Sequence, residues 1–320
     1  MNREQQSFVD AFLGPGIGRN RRLERIAALI EWGEVERLAE QARPGEAGRP
    51  PYPPLAMVKA LLLQQWYALS DPALEEALSD RLSFRRFCGL ALDGSTPDET
   101  TICRFRAALA EKGLGEQIFA AVLAQIDAKG FLLREGAIID ATLVEASVKA
   151  PPMAAGAGAK SERDDDAEWT RTGPHQRKFF GYKAHVATDQ GSGLIRRARL
   201  TGAAVNESEV ADDLIDLDVR ALYADKAYEK KARRAWLKAN GVKDRIAHRR
   251  HKYIKALPPW QQARNRLITP IRAAIERTFA VFKGPYRWRR TRYRGLTRNA
   301  NHLMLIACAF NLRKLEKLAA

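Results

Sequence analysis

Apolar positions follow a helical spacing from Leu55 to Lys129 and change to dense, β-branched runs from Phe131 onward. In the first stretch, "LAMVKALLLQQWYAL" presents a long apolar face and predicts a helix. "SDPALEEAL" restarts a helix, with Ser70 or Asp71 as cap and Pro72 tolerated in the first turn. "STPDETTICRFRAAL" repeats the device, with Asp98 as cap and Arg104 and Arg106 exposed beside Phe105. Ahead of these, "PGEAGRPPYPP" (44–54) is too rich in Pro and Gly for a helix or strand and reads as a linker. The expected division is a helical arm and linker (1–50), a helical domain (51–130) and a third domain (131–320).

The third domain reads as strands and helices in alternation. "GAIIDATLVEA" is a strand with one Asp at its centre, and "FFGYKAHVATD" and "LIRRARLT" flank a "QGSG" turn as a hairpin. "NESEVADDLIDL" opens a helix at Asn206, and "VRALYAD" is a short strand ending on Asp225. "KAYEKKARRAWLKANG" is a helix stopped by Gly241, "VKDRIAH" a last strand, and a further helix is halted after Lys283 by Gly284 and Pro285. The predicted order β-β-β-α-β-α-β-α describes an α/β mixed sheet flanked by helices, preceded by an all-α domain. Residues 151–176, with "AAGAGAK" and "ERDDDAE", read as a solvated loop, so Asp164, Asp165 and Asp166 are expected in solvent.

Charge narrows the partner. The chain carries 54 Lys+Arg against 38 Asp+Glu, a net +16, with 46% hydrophobic and 29% charged residues. This is a folded protein whose excess charge suits a polyanion, and a basic segment beyond Val242 points to nucleic acid. A membrane partner is disfavoured because no run reaches about 18 uncharged apolar residues. The opening "MNREQQSFVDAF" lacks the layout of a secretory signal. Cys88, Cys103 and Cys308 are isolated and read as core residues in a reducing cytoplasm.

Three carboxylates carry the candidate chemistry. If the strands bearing Asp140 and Asp225 lie parallel and adjacent, both acids reach the same sheet end, where open α/β sheets build their sites. Glu276 sits in "PIRAAIERTFAVFKGPYRWRRTRYRG" (270–295), among cations. Converging acids need neutralising, and oxygen-only ligands suit Mg2+ or Mn2+, of which a pair supports displacement at phosphorus. On one continuous helix, Arg272, Glu276 and Lys283 fall within roughly 40° of a common face. Arg287, Trp288, Arg289, Arg290, Arg292 and Arg294 interleave cations with an aromatic ring, a pattern suited to phosphate neutralisation and base stacking. His248 and His251 read as phosphate contacts, Asp189 as a turn residue and Asn206 with Glu207 as helix-capping residues. His185 either packs or faces the site.

"IIDATLVEAS", "YADKAYE", "IERTFAVFKGPYRWRRTRYRGL" and "LIACAFNLRKL", in this order, resemble the DDE transposases of bacterial insertion sequences, in the group of insertion sequence five. The resemblance implies a ribonuclease H-like core with catalytic and metal-ligating Asp140, Asp225 and Glu276, and two Mg2+ (or Mn2+) ions per site. It implies recognition of terminal inverted repeats by residues 51–130, where Arg104 and Arg106, read as exposed, are the expected DNA contacts. Cleavage and 3′-OH strand transfer follow, on double-stranded DNA as element end and target, by a homodimer or larger synaptic complex in the bacterial cytoplasm, associated with the nucleoid. The position where the group carries tyrosine holds Thr269, and Ala227 stands where glycine is usual. The alternatives are a nuclease that cuts without joining and a decayed DNA-binding relative.

Overall fold

The computed structural model describes residues 18–43, 51–152, 163–173, 175–250 and 256–320. The chain divides into two compact units, one of Met1–Lys129 with Met304–Ala320 and one of Gly130–Leu303. The final stretch therefore joins the N-terminal unit rather than a domain running to 320. Most of the 44–54 linker, and all of His251, lie outside the described residues.

The first unit contains seven helices before the sheet, among the described residues: α1 (Arg21–Leu29), α2 (Gly33–Glu40), α3 (Pro54–Trp66), α4 (Asp71–Asp80), α5 (Leu82–Cys88), α6 (Glu99–Glu111) and α7 (Leu114–Ala128). Helix α3 is the axis of its core. Val58, Leu61, Leu62 and Leu63 are fully buried, and even Gln64 and Gln65 lose all exposure. An all-round apolar helix is stable only when neighbours cover every face. Here α2, α4, α5 and α6 pack on α3. Both expected caps form: Ser70 Oγ accepts from Ala73 N–H (3.3 Å) and Asp98 Oδ1 from Thr101 N–H (2.6 Å).

Arg106 departs from expectation. It is buried rather than exposed, and donates through both guanidinium nitrogens to Asp71 (2.8 and 2.6 Å). Gln64 donates to the same carboxylate (2.6 Å), so the network satisfies polar groups that the core would otherwise leave unpaired. Arg104 is exposed. Cys88 and Cys308 are buried, but Cys103 is exposed, because it falls on the outer side of α6.

The second unit is a curled mixed sheet with six strands: β1 (Ala137–Glu145), β2 (Glu168–Thr172), β3 (Arg177–Asp189), β4 (Ile195–Gly202), β5 (Ala221–Ala224) and β6 (Lys243–Ile246). The order is β2-β3-β1-β5-β6, with β4 also paired to β3. Strand β3 runs antiparallel to β1, β2 and β4, whereas β5 is parallel to both β1 and β6. Gly181 sits in β3 at φ +154°, where a Cβ would collide with the Val144 carbonyl of β1. One face of β1 and β5 (Ala137, Ile139, Leu222, Ala224) closes a core with Leu214, Leu237 and Ile246.

Strand β2 is a second departure, since it lies within the stretch that reads as a solvated loop. Asp164, from the same stretch, is buried and accepts from the Tyr182 hydroxyl (2.5 Å) and Gly295 N–H (3.2 Å). It anchors that segment instead of floating in water. The remaining helices are α8 (Glu207–Val210), α9 (Lys231–Ala239), α10 (Pro259–Arg272), α11 (Glu276–Lys283) and α12 (Leu296–Leu318). The single helix expected around Glu276 is broken. Pro270 removes a backbone donor within α10, and a 3₁₀ turn (Ala273–Ile275) separates α10 from α11.

Candidate active site

Strand register places the first two acids. Ile138 of β1 pairs with Tyr223 of β5 in parallel, so Asp140 and Asp225 stand at matching positions two residues further on. Adjacent strands lie about 4.8 Å apart, so the backbones bearing the two acids run side by side, and the charge of Asp225 acts on Asp140. Asp225 leads straight into a 3₁₀ turn (Lys226–Tyr228) and its carboxylate accepts from the Ala227 N–H. The small side chain at Ala227 leaves that backbone donor accessible.

Asp140 Oδ1 accepts from Ala141 N–H (2.9 Å), and Oδ2 accepts from Arg272 Nη1 (2.7 Å), with the Asp140 side chain 18% exposed. Arg272 comes from the last turn of α10, which packs on β1 and β5. Its partner is thus Asp140 and not the neighbouring Glu276. Even so, burial pushes the Asp140 carboxyl up to about 6, and the negative charges of Asp225 and Glu207 add to that rise. One arginine does not neutralise this pocket.

Glu276 is exposed at the first residue of α11, one position beyond a 3₁₀ turn that packs on β1. The acids acting on Asp140 are Asp225 and Glu207. Among the described residues, no three Asp, Glu, His or Cys side chains are grouped tightly enough to hold a metal ion. The donor chemistry of Asp140 and Asp225 nevertheless fits a hard divalent cation: oxygen ligands only, side by side, in a pocket whose own charges repel.

A groove of about 1040 Å³ has Ala141 and Thr142 of β1, the residues that follow Asp140, in its lining, but not Asp140, Asp225 or Glu276. Lys149, Arg171, Arg177, Lys178, Lys183, Lys283, Arg289 and Arg290 line it, eight cations against the two acids Glu145 and Glu207. Glu145 pairs with Arg290 (2.6 Å) and Glu207 with Lys183 (3.6 Å). Burial, and then Arg289, hold the Lys283 ammonium below its usual range. The β2–β3 ladder supplies Arg171, Arg177 and Lys178, which sequence reasoning missed along with the strand.

Other expected contacts divide. Arg287, Arg289, Arg290 and Arg294 are exposed, and Arg292 is half-buried. Trp288 is 1% exposed, edge-on to Phe282 (5.9 Å) and His302 (5.9 Å), so it cannot stack on a base. The core claims this ring because Phe282 on α11 and His302 on α12 leave a slot between them. His248 is engaged internally: Nδ1 lies 3.4 Å from Glu229, its ring meets Trp260 edge-on, and burial lowers its basicity. His185 packs, fully buried, against Thr201 Oγ1 (2.9 Å), with burial driving its pKa to about 3. Asp189, expected in the turn, is instead the buried last residue of β3, accepting from Leu133 and Arg134 N–H groups (both 3.1 Å) and from Ser192 Oγ (2.7 Å).

Asn206 caps α8 as expected, accepting from Ser208 N–H (2.9 Å). Glu207 does not act as a cap. It lies 3.6 Å from Lys183, and its charge bears on Asp140, a placement with no local signature in sequence. Thr269 turns its hydroxyl back on the Asn265 carbonyl (2.8 Å). No helix among the described residues is long and apolar enough to cross a membrane.

A family model described as "Transposase DDE domain" matches residues 132–312, and one described as "Transposase domain (DUF772)" matches residues 13–108. Among solved structures, nothing matches.

Proposed function

Because the chain belongs to the DDE-domain transposases, enzymes that act on DNA and use divalent metal ions, we propose that it binds the terminal inverted repeats of an insertion sequence and catalyses strand transfer. The element would be of the insertion sequence five group, and the catalytic unit would adopt the ribonuclease H-like fold. The observation that supports this reading best is the parallel register of β1 and β5, which sets Asp140 beside Asp225.

In this reading Asp140, Asp225 and Glu276 are the acids of the site, with α10 and α11 bringing Glu276 to the β1 side. Two Mg2+ or Mn2+ ions, when bound, supply activation of the attacking oxygen and stabilisation of the leaving one. The chain's own residues do the positioning. Arg272 holds Asp140 in a fixed rotamer through its 2.7 Å hydrogen bond. The cationic groove keeps the phosphodiester backbone alongside Asp140, with Lys283, Arg289 and Arg290 on one wall. Arg287, Arg292 and Arg294 extend this basic surface, and Arg104 serves the helical unit that recognises the element end. A homodimer or larger assembly is needed to hold two ends at once.

The test is a strand-transfer assay on DNA carrying the native element ends, with Mg2+ or Mn2+. Joined product is expected from the wild type. Asp140→Asn, Asp225→Asn and Glu276→Gln should each abolish joining while DNA binding persists. Joining by Asp140→Asn would overturn the site, cutting without joining would make the protein a nuclease, and binding alone would make it a decayed relative.

A further inference from the structure

The sheet edge at β6 carries a second cationic surface. In the order β2-β3-β1-β5-β6, the strand that leads to Asp225 separates β6 from the strands that line the groove. Just past α9, Gly241 at φ +72° turns the chain into β6. Gly241 N–H donates to the Lys238 carbonyl (3.2 Å) and Val242 N–H to the Leu237 carbonyl (2.9 Å), so the last turn of α9 lies against the start of β6. A pocket of about 510 Å³ opens there, with Arg234 and Lys238 of α9, Lys243 and Asp244 of β6, and Arg264 of α10 in its lining.

Four cations thus share one acid in this lining. Both arginines engage that acid, whose carboxylate accepts from Arg234 Nη1 and from Arg264 Nη2 (3.2 Å). Lys238 and Lys243 are exposed, and neither has an acidic partner among the described residues. A second observation comes from Arg264. Its Nη2 donates to the Asp244 carbonyl (2.5 Å), yet its Nε–H is buried with no acceptor among the described residues. Buried donors are seldom left unpaired, so this guanidinium has donor capacity that its protein neighbours leave unmet.

Resting on the reading of the protein as a strand-transferring enzyme, we propose that this pocket is a second phosphate site, which takes the backbone of the target duplex while the groove holds the element end. Strand transfer joins two DNA segments, and each brings its own row of phosphates to be neutralised. Lys238 and Lys243 act as adjustable point charges, and the arginines, fixed by Asp244, offer forked donors to the same phosphate oxygens. Because groove and pocket lie on opposite sides of β5, the two segments flank the strand that leads to Asp225.

Full-length protein carrying Lys238→Ala with Lys243→Ala tests this, since both side chains are exposed and their loss disturbs no core. With Mn2+, the double variant should cut element-end DNA as the wild type does, yet need about tenfold more target DNA for half-maximal joining. Lys238→Arg with Lys243→Arg keeps both charges and should join at the wild-type target concentration. Equal losses in cutting and joining would place the pocket under the element end, and unchanged joining would remove it from the DNA path. Either result would overturn this inference alone. No joined product from the wild type would overturn it together with the reading on which it rests. Inorganic phosphate, titrated by phosphorus NMR, separates the sources. Phosphate binding that is lost in the alanine variant while joining stays unchanged would make this a site for free phosphate and overturn the assignment to DNA.

Discussion

Replacing Asp140 with Asn keeps the shape of the side chain and removes its charge. In divalent-free buffer the folded protein holds the Asp140 proton up to about pH 6, against an ordinary value of 3.8. Roughly two pKa units at 1.36 kcal/mol each make the ionised group about 3 kcal/mol unfavourable to folding. The side chain is only 18% exposed, so solvent screening does not erase this figure. The sign follows from linkage. Between about pH 4 and 6 the native state binds more protons than the unfolded chain, so stability falls as pH rises through that window. Above it the whole penalty remains.

The Asn variant should therefore match the wild type near pH 4 and exceed it above pH 6.5. The gain is about 2–3 kcal/mol, or roughly 5–10 °C in the melting of the unit that carries the sheet. Thermal melts of both proteins in chelator from pH 4.5 to 8 provide the assay. Added Mn2+ should close the gap by stabilising only the wild type. A variant that is less stable than wild type at pH 7.5 would refute the reasoning. It would mean that the hydrogen bond from Ala141 and the pair with Arg272 outweigh the cost of burying the charge, to which Asp225 and Glu207 add.

Three further outcomes are expected. Arg106→Ala should destabilise the helical unit by about 3–5 kcal/mol, because it strands the Asp71 carboxylate; chemical denaturation of Arg106→Ala, Asp71→Ala and the double variant should show the double change costing less than the sum. Trp288→Ala should lower stability by about 3–5 kcal/mol through a core cavity, whereas Trp288→Phe should leave DNA affinity near wild type in a fluorescence anisotropy titration. Arg171→Ala with Lys178→Ala should reduce the slope of log affinity against log salt by about 0.9 for each duplex phosphate that is no longer neutralised, and an unchanged slope would remove these residues from the DNA path.

How far the sequence carried these conclusions depended on the range of the interactions. Asp140 and Asp225 were legible because each ends or interrupts a short apolar run, and a parallel pairing needs only that pattern to align them. Strand β2 escaped because "EWTRT" is short, polar and embedded among Gly, Ala and Asp. Its stability comes from pairing with β3 and from buried Asp164, whose partner Tyr182 is distant in sequence. Trp288 misled for a similar reason. Cations surround it in the chain, while the residues that bury it, Phe282 and His302, lie outside that run. Nothing local to Arg106 showed that it is buried along with Phe105, and its partner Asp71 lies far away in sequence. The break before Glu276 did have a signal in Pro270. Glu207 had none, since Arg233 and Lys183 reach its segment across long separations.

The most direct check of an acidic cation centre is to load the protein with Fe2+ in place of Mg2+, add ascorbate and peroxide, and map the backbone cuts by mass spectrometry. Cuts clustered near Asp140 and Asp225, lost when Asp140 becomes Asn and extending to Glu276 on the DNA complex, are the expected result. Cuts elsewhere, or an unchanged pattern in the Asn variant, would contradict it.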